Sequence, residues 1–203
     1  MRKPLRVNPL RLFLAFELTK PARKHINQLL DLLRQKNLSG FRLAKRNNVH
    51  MTLKFLGNVP RECIPEITSG MEEAVKNTAA FTLEIQGLGA FPSLSSPRIL
   101  WSNVHGELNT LLQLHKRLED VLEAKGFPRE QRPYFPHLTL ARRQRQLCHS
   151  DLQHLKSLVV IAQAFGRKSL LISKLSLMQS TLSWQGAVYT RKASVSLPSP
   201  FAE

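Results

Sequence analysis

Apolar and polar positions change period several times along this chain, and the changes mark its elements. Residues 11 to 18 carry the run Leu12-Phe13-Leu14-Ala15-Phe16 and predict a strand. Thr19 then stands as an N-cap before a helix beginning near Pro21, with Ile26, Leu29, Leu30 and Leu33 at helical spacing. Alternation returns over 49 to 56, Gly57-Asn58 predicts a turn, and Pro60 opens a second helix to about residue 77. Phe81, Leu83 and Ile85 alternate with polar residues as a strand, and Ile99-Leu100-Trp101 predicts another. The stretch from Leu108 to Lys125 predicts a helix with core positions Leu111, Leu112, Leu114, Leu118, Val121 and Leu122, stopped by Gly126. A strand over 135 to 141, a short helix around 151 to 160, a strand over 170 to 178 and a last strand over 187 to 196 complete the series. The order predicts an α+β fold of two similar halves, helices packed on antiparallel-rich sheets with a cleft between them. It contains no long linker or low-complexity tract.

Two of the predicted strands have the same form. His50-Met51-Thr52-Leu53 and His137-Leu138-Thr139-Leu140 each place a histidine and a threonine on one strand face and two apolar residues on the other. One such motif is explained by a half-buried strand whose polar face meets water. Two copies 87 residues apart, if folding brings them together, supply two imidazoles that exchange protons and two hydroxyls that hold an oxyanion. That equipment opens a phosphodiester without a metal.

Charge narrows the partner. The 203 residues hold 30 Lys and Arg against 14 Asp and Glu, a formal +16, and the pI near 10.7 points to a polyanion such as RNA. Residues 1 to 46 carry 12 basic and 2 acidic side chains and residues 131 to 203 carry 10 and 2, whereas residues 47 to 130 are slightly acidic with 8 and 10. Two cysteines, Cys63 and Cys148, form neither a disulfide framework nor a metal cluster and fit a reducing cytoplasm. No apolar run reaches the length of a membrane span, and the N-terminal segment lacks the cleavage site of a signal peptide.

The segments His50-Met51-Thr52-Leu53-Lys54-Phe55-Leu56-Gly57 and Tyr134-Phe135-Pro136-His137-Leu138-Thr139-Leu140-Ala141-Arg142 resemble the two signature motifs of the 2H phosphoesterase superfamily, and within it the RNA 2′,3′-cyclic phosphodiesterases, also called 2′-5′ RNA ligases. Supporting segments follow in order: Arg11 to Phe16, Gly89-Ala90-Phe91-Pro92 leading to Pro97-Arg98-Ile99-Leu100-Trp101, and Leu175 to Ser180 before Tyr189. The similarity covers residues 11 to 197, a single bilobal domain, leaving a basic extension at 1 to 10 and a tail at 198 to 203. Where the family commonly has a tryptophan before the first motif, this chain has Leu43.

The resemblance implies a bilobal fold with pseudo-symmetric halves and the motifs on inner strands facing a central cleft. It implies hydrolysis of RNA 2′,3′-cyclic phosphate ends to 2′-phosphomonoesters, with 2′-5′ ligation as the reverse, by a cytoplasmic monomer without cofactor or metal, on RNA ends such as those of tRNA fragments. By the same analogy His137 accepts a proton from water and His50 donates one to the leaving 3′-oxygen. Thr52, Thr139 and Arg142 bind the phosphate. Two other readings stay open: a non-catalytic module that holds RNA ends, and a phosphodiesterase acting on 2′-5′ oligonucleotides or small cyclic nucleotides.

Other residues carry weaker signals. Arg143 and Arg145 suit an RNA backbone or a solvated edge, and Tyr134, Phe135 and Trp101 suit a stacked base or the core. Cys148, His149 and His154 lack a fourth ligand for zinc, His25, His105 and His115 read as structural or surface residues, and Gly87 and Gly89 do not complete a nucleotide loop.

Overall fold

The computed structural model describes residues 9–184 and 186–199; most of the basic N-terminal extension, and residues 200–203 of the tail, lie outside this range. Along it run β1 (Leu10–Glu17), α1 (Lys20–Gln35), β2 (Phe41–Leu43), β3 (His50–Val59), α2 (Ile64–Val75), β4 (Phe81–Phe91), β5 (Ile99–Gly106), α3 (Leu108–Ala124), β6 (His137–Arg143), α4 (His149–Ala164), β7 (Lys168–Ile172), β8 (Lys174–Ser183) and β9 (Gly186–Ser196). Thr19 caps α1 as its sequence position requires, its hydroxyl accepting from the Ala22 amide.

The strands form two antiparallel sheets, ordered β3-β1-β8-β9 and β2-β6-β5-β4-β7. The orders correspond: each motif strand, β3 or β6, lies beside the strand that opens its repeat, β1 or β5, with two further strands beyond. The helices do not stay with their own repeat. Helix α1, which follows β1, packs against β2 and β7 of the other sheet together with α4, which packs on β4, while α3 packs on α2 beneath β3. Each lobe is therefore assembled from both halves of the chain, and one continuous apolar core runs from Leu14 and Met51 through Leu118 to Leu138 and Leu170.

Three predicted boundaries move, each for a visible reason. Gly57-Asn58 is no turn: β3 continues to Val59, and Gly57, at φ +72°, marks a β-bulge opposite Leu12 and Phe13. Strand β4 likewise runs through Gly87 and Gly89 to Phe91 across an irregularity between Gln86 and Gly89. The single strand expected over 170 to 178 is two, with β7 pairing to β4 in one sheet and β8 to β1 in the other, so the break at Ser173 carries the chain between lobes. The inward residues show it: Leu170 and Ile172 change parity to Leu175 and Leu177. The short strand β2 has no signal in the sequence, because three residues are too few to establish a period.

Candidate active site

The two motifs meet. His50, Thr52, His137 and Thr139 all line one cleft of about 530 Å³ between the sheets. In each motif strand the histidine and threonine face the cleft while Met51, Leu53, Leu138 and Leu140 are buried behind them. The alternation then breaks at the same place in both lobes. Leu53 is an extra residue between the pairs Thr52–Ala15 and Lys54–Leu14, and Leu140 is an extra residue between Thr139–Trp101 and Ala141–Leu100. These bulges reverse the faces that follow. Lys54 turns into the core, Phe55 turns to the cleft, and Arg142, the counterpart of Phe55 in the second motif, reaches the cleft that strict alternation would deny it.

Both imidazoles are oriented the same way. His50 Nδ1 lies 2.7 Å from the Asn48 carbonyl oxygen and His137 Nδ1 lies 2.7 Å from that of Phe135. A carbonyl only accepts, so each Nδ1 carries its proton and donates it. That leaves Nε2 as the nitrogen that takes or gives a proton. Aromatic rings wall the two sides: Phe13 and Tyr189 stand 4.8 and 5.0 Å from the His50 ring, and Phe91 stands edge-on 5.2 Å from His137. Burial pushes both histidines below the usual imidazole range. The backbone acceptors oppose that shift, as does Glu17 at His50 alone, while the Arg142 charge adds to it at both.

Four cations, Arg11, Arg42, Lys45 and Arg142, line the cleft, and no carboxylate is among its lining residues. The arrangement suits an anion of more than one charge, with two threonine hydroxyls to meet its oxygens and an imidazole from each motif. Beyond the basic N-terminal excess, the sequence gives Arg42 and Lys45 no signal and Arg11 only its place at the head of the first supporting segment. Arg42 comes from β2, paired directly across from Arg142 in β6.

The weaker candidates separate. Trp101 is buried and stacked on Phe91; Gly89 is there because a Cβ would meet the Trp101 ring at 2.6 Å. Tyr134 stacks on His115 and donates from its hydroxyl to the Thr52 carbonyl, 3.2 Å, so it ties the lead-in of the second motif to the strand of the first. Phe135 is half exposed beside Phe91 and Trp101. Arg145 bonds the Ser39 carbonyl rather than entering the cleft. Cys148 and His149 lie at the start of α4 with Ser150 and Gln153 as partners, and among the described residues no cluster of three or more potential ligands could hold a metal. Nor, among them, is any helix long and apolar enough to cross a membrane.

Known proteins share the sequence pattern and the fold. The family model of the 2′-5′ RNA ligase superfamily matches residues 20–182. A protein of Aquifex aeolicus named RNA 2′,3′-cyclic phosphodiesterase is 30% identical over 173 residues, 82% of this chain and 88% of its own. One of the same name from Aeropyrum pernix is 34% identical over 145 residues, 70% of this chain and 78% of its own. The crystal structure of TT0787 of Thermus thermophilus superposes with a TM-score of 0.75 at 25% identity, covering 94% of this chain and all of the other. The apo form of E. coli LigT shares the fold, with a TM-score of 0.69 at 22% identity over 94% of this chain and 99% of its own.

Proposed function

The chain belongs to the 2′-5′ RNA ligase superfamily, and from that premise we propose that it hydrolyses RNA 2′,3′-cyclic phosphate ends, as its relatives of that name do. The observation that carries the reading is the pair of histidines, each held by its Nδ1 proton with Nε2 directed to one cationic cleft. Such a site needs one imidazole neutral and one protonated. Glu17, across the ladder from His50, favours the cation there, whereas Asn103, an uncharged amide, faces His137. His137 is therefore the base and His50 the acid.

In the reaction His137 Nε2 takes a proton from water as the water oxygen bonds to phosphorus. The phosphorus–O3′ bond breaks, and His50 Nε2–H protonates the departing oxygen, leaving a 2′-phosphomonoester. Thr52 and Thr139 donate to the non-bridging oxygens where negative charge builds, with Arg142 beside them. Each turnover leaves the two imidazoles with exchanged protonation, which solvent restores. With a 5′-hydroxyl in place of water the same displacement, with O3′ again leaving, forms a 2′-5′ linkage. The four cations favour a chain of phosphates over a mononucleotide, in keeping with RNA ends, including those of tRNA fragments, met by a monomer in the cytoplasm.

The test is incubation with an RNA ending in a 2′,3′-cyclic phosphate in the presence of EDTA, identifying the terminal phosphate. A 2′-phosphate product, with His50→Ala and His137→Ala each losing on the order of 10²-fold or more, is expected. Tight binding without turnover would make the protein an RNA-end-binding module instead.

A further inference from the structure

A hairpin that lines one side of the cleft ends in an aromatic side chain that this mechanism leaves unused. Strands β8 and β9 form a hairpin whose cleft-lining pairs step outward from His50: Ser180 opposite Tyr189, then Leu182 opposite Ala187, then the turn that holds Trp184. Tyr189 is the ring that stands against His50. Trp184 is 93% exposed and Leu182 71%. Isolated exposed apolar residues are ordinary, so exposure alone assigns nothing; the surroundings do.

The tip of this hairpin meets residues that belong to the cleft. Asn48, whose carbonyl orients His50, donates from its amide nitrogen to the Ala187 carbonyl at 2.7 Å. A Cβ at Gly186 would collide with the Arg42 guanidinium, so the bare glycine at φ +106° leaves the space in which that cation lies. An exposed indole thus stands in the turn between Leu182, which lines the cleft, and Gly186, which packs against a cleft arginine. Trp184 lies four residues beyond Ser180, about 14 Å along an extended chain at ~3.4 Å per residue, at the end of the hairpin away from His50.

We infer that the β8–β9 tip is a nucleotide subsite, in which the base preceding the cyclic-phosphate end stacks on Trp184 against Leu182 while its phosphate meets Arg42. Stacking on an indole is tolerant of base identity and, with the cation beside it, supplies affinity without sequence readout. The inference rests on the RNA reading above and deepens it: the preferred substrate is an oligonucleotide of at least two residues.

Two measurements test it. In steady-state assays Trp184→Ala is expected to raise KM for a short cyclic-phosphate oligonucleotide about ten-fold or more, with kcat unchanged and no effect on a nucleoside 2′,3′-cyclic phosphate; Trp184→Phe keeps most of the affinity. An unchanged oligonucleotide KM, or an equal loss on the mononucleotide, overturns the subsite. In the second, the same oligonucleotide is titrated into the His50→Ala/His137→Ala protein while tryptophan emission is followed. Quenching that vanishes when Trp184→Phe is added supports stacking, because the other indole, Trp101, is buried; no quenching on binding overturns it. If the wild-type protein turns over neither substrate, the hydrolytic reading fails, and the titration still decides the subsite.

Discussion

Glu17 lies directly across the β1–β3 ladder from His50. Its carboxylate accepts from Ser176 Oγ at 2.7 Å and Arg191 at 3.1 Å, which fixes it at the edge of the site. In the matching place of the second lobe Asn103 faces His137. Two motifs of the same sequence form thus differ in the charge beside them.

That difference is measurable in Glu17→Gln. Burial lowers the proton affinity of both histidines, and Glu17 offsets part of the effect at His50 alone. Removing its charge lowers His50 further and leaves His137 in place. The profile of kcat/KM against pH, which reports the free protein, is expected to be bell-shaped with both limbs drawn to the acid side of 6.5, the ordinary imidazole value. In Glu17→Gln one limb moves to lower pH and the other stays. Movement of both limbs together would show that the carboxylate does not distinguish the two histidines.

Arg142 makes the opposite test. Its charge lowers both histidines, so Arg142→Gln is expected to shift both limbs toward higher pH. It also removes a charged contact to the phosphate, at about 1.5 to 3 kcal/mol, which raises KM about ten-fold or more. A normal KM with unmoved limbs would place the side chain outside the reacting centre.

The histidine pair is legible in the sequence because its signal is repeated, and period-2 alternation gives the histidines and threonines the face that lines the cleft. What alternation could not show was the bulge after each threonine. A bulge is a property of pairing between strands, and Leu53 and Leu140 read in isolation as ordinary inward residues. For that reason Lys54, on the same apparent face as His50 and Thr52, ends in the core, and Arg142 was reached only through a family resemblance. Arg42 and Glu17 matter through what lies opposite them, Arg142 and His50, which is again information carried by register.

Lys54 itself yields a stability prediction. Its ammonium is buried, donating to Glu119 at 2.6 Å and to the Pro128 carbonyl at 2.7 Å, and Glu119 also accepts from the Glu130 amide. The pair clamps β3 to α3 and to the segment leading into the second motif. Lys54→Met strands a buried carboxylate and is expected to cost about 3 to 5 kcal/mol in denaturant unfolding. Adding Glu119→Leu removes the stranded charge and recovers much of the loss. A single variant as stable as the wild type would mean that water reaches Glu119.

Acid sensitivity follows from the two cleft histidines together with two buried elsewhere. His25, His50, His115 and His137 are all lowered, chiefly by burial, so between 6.5 and their folded values the unfolded chain binds protons that the folded chain refuses. Stability is therefore complete above about pH 6.5, the unfolded imidazole value, and is lost as pH falls through the window below it. Residue His25 isolates the effect away from the cleft. It is buried in α1 beside Phe165, its Nε2 is without a hydrogen-bond partner among the described residues, and the Lys168 charge adds to the shift. Thermal unfolding of His25→Leu should match or exceed the wild type at pH 8, and the advantage should widen toward pH 5.5. A gap that does not change with pH would mean that His25 is protonated equally well in the folded protein, with water reaching the ring.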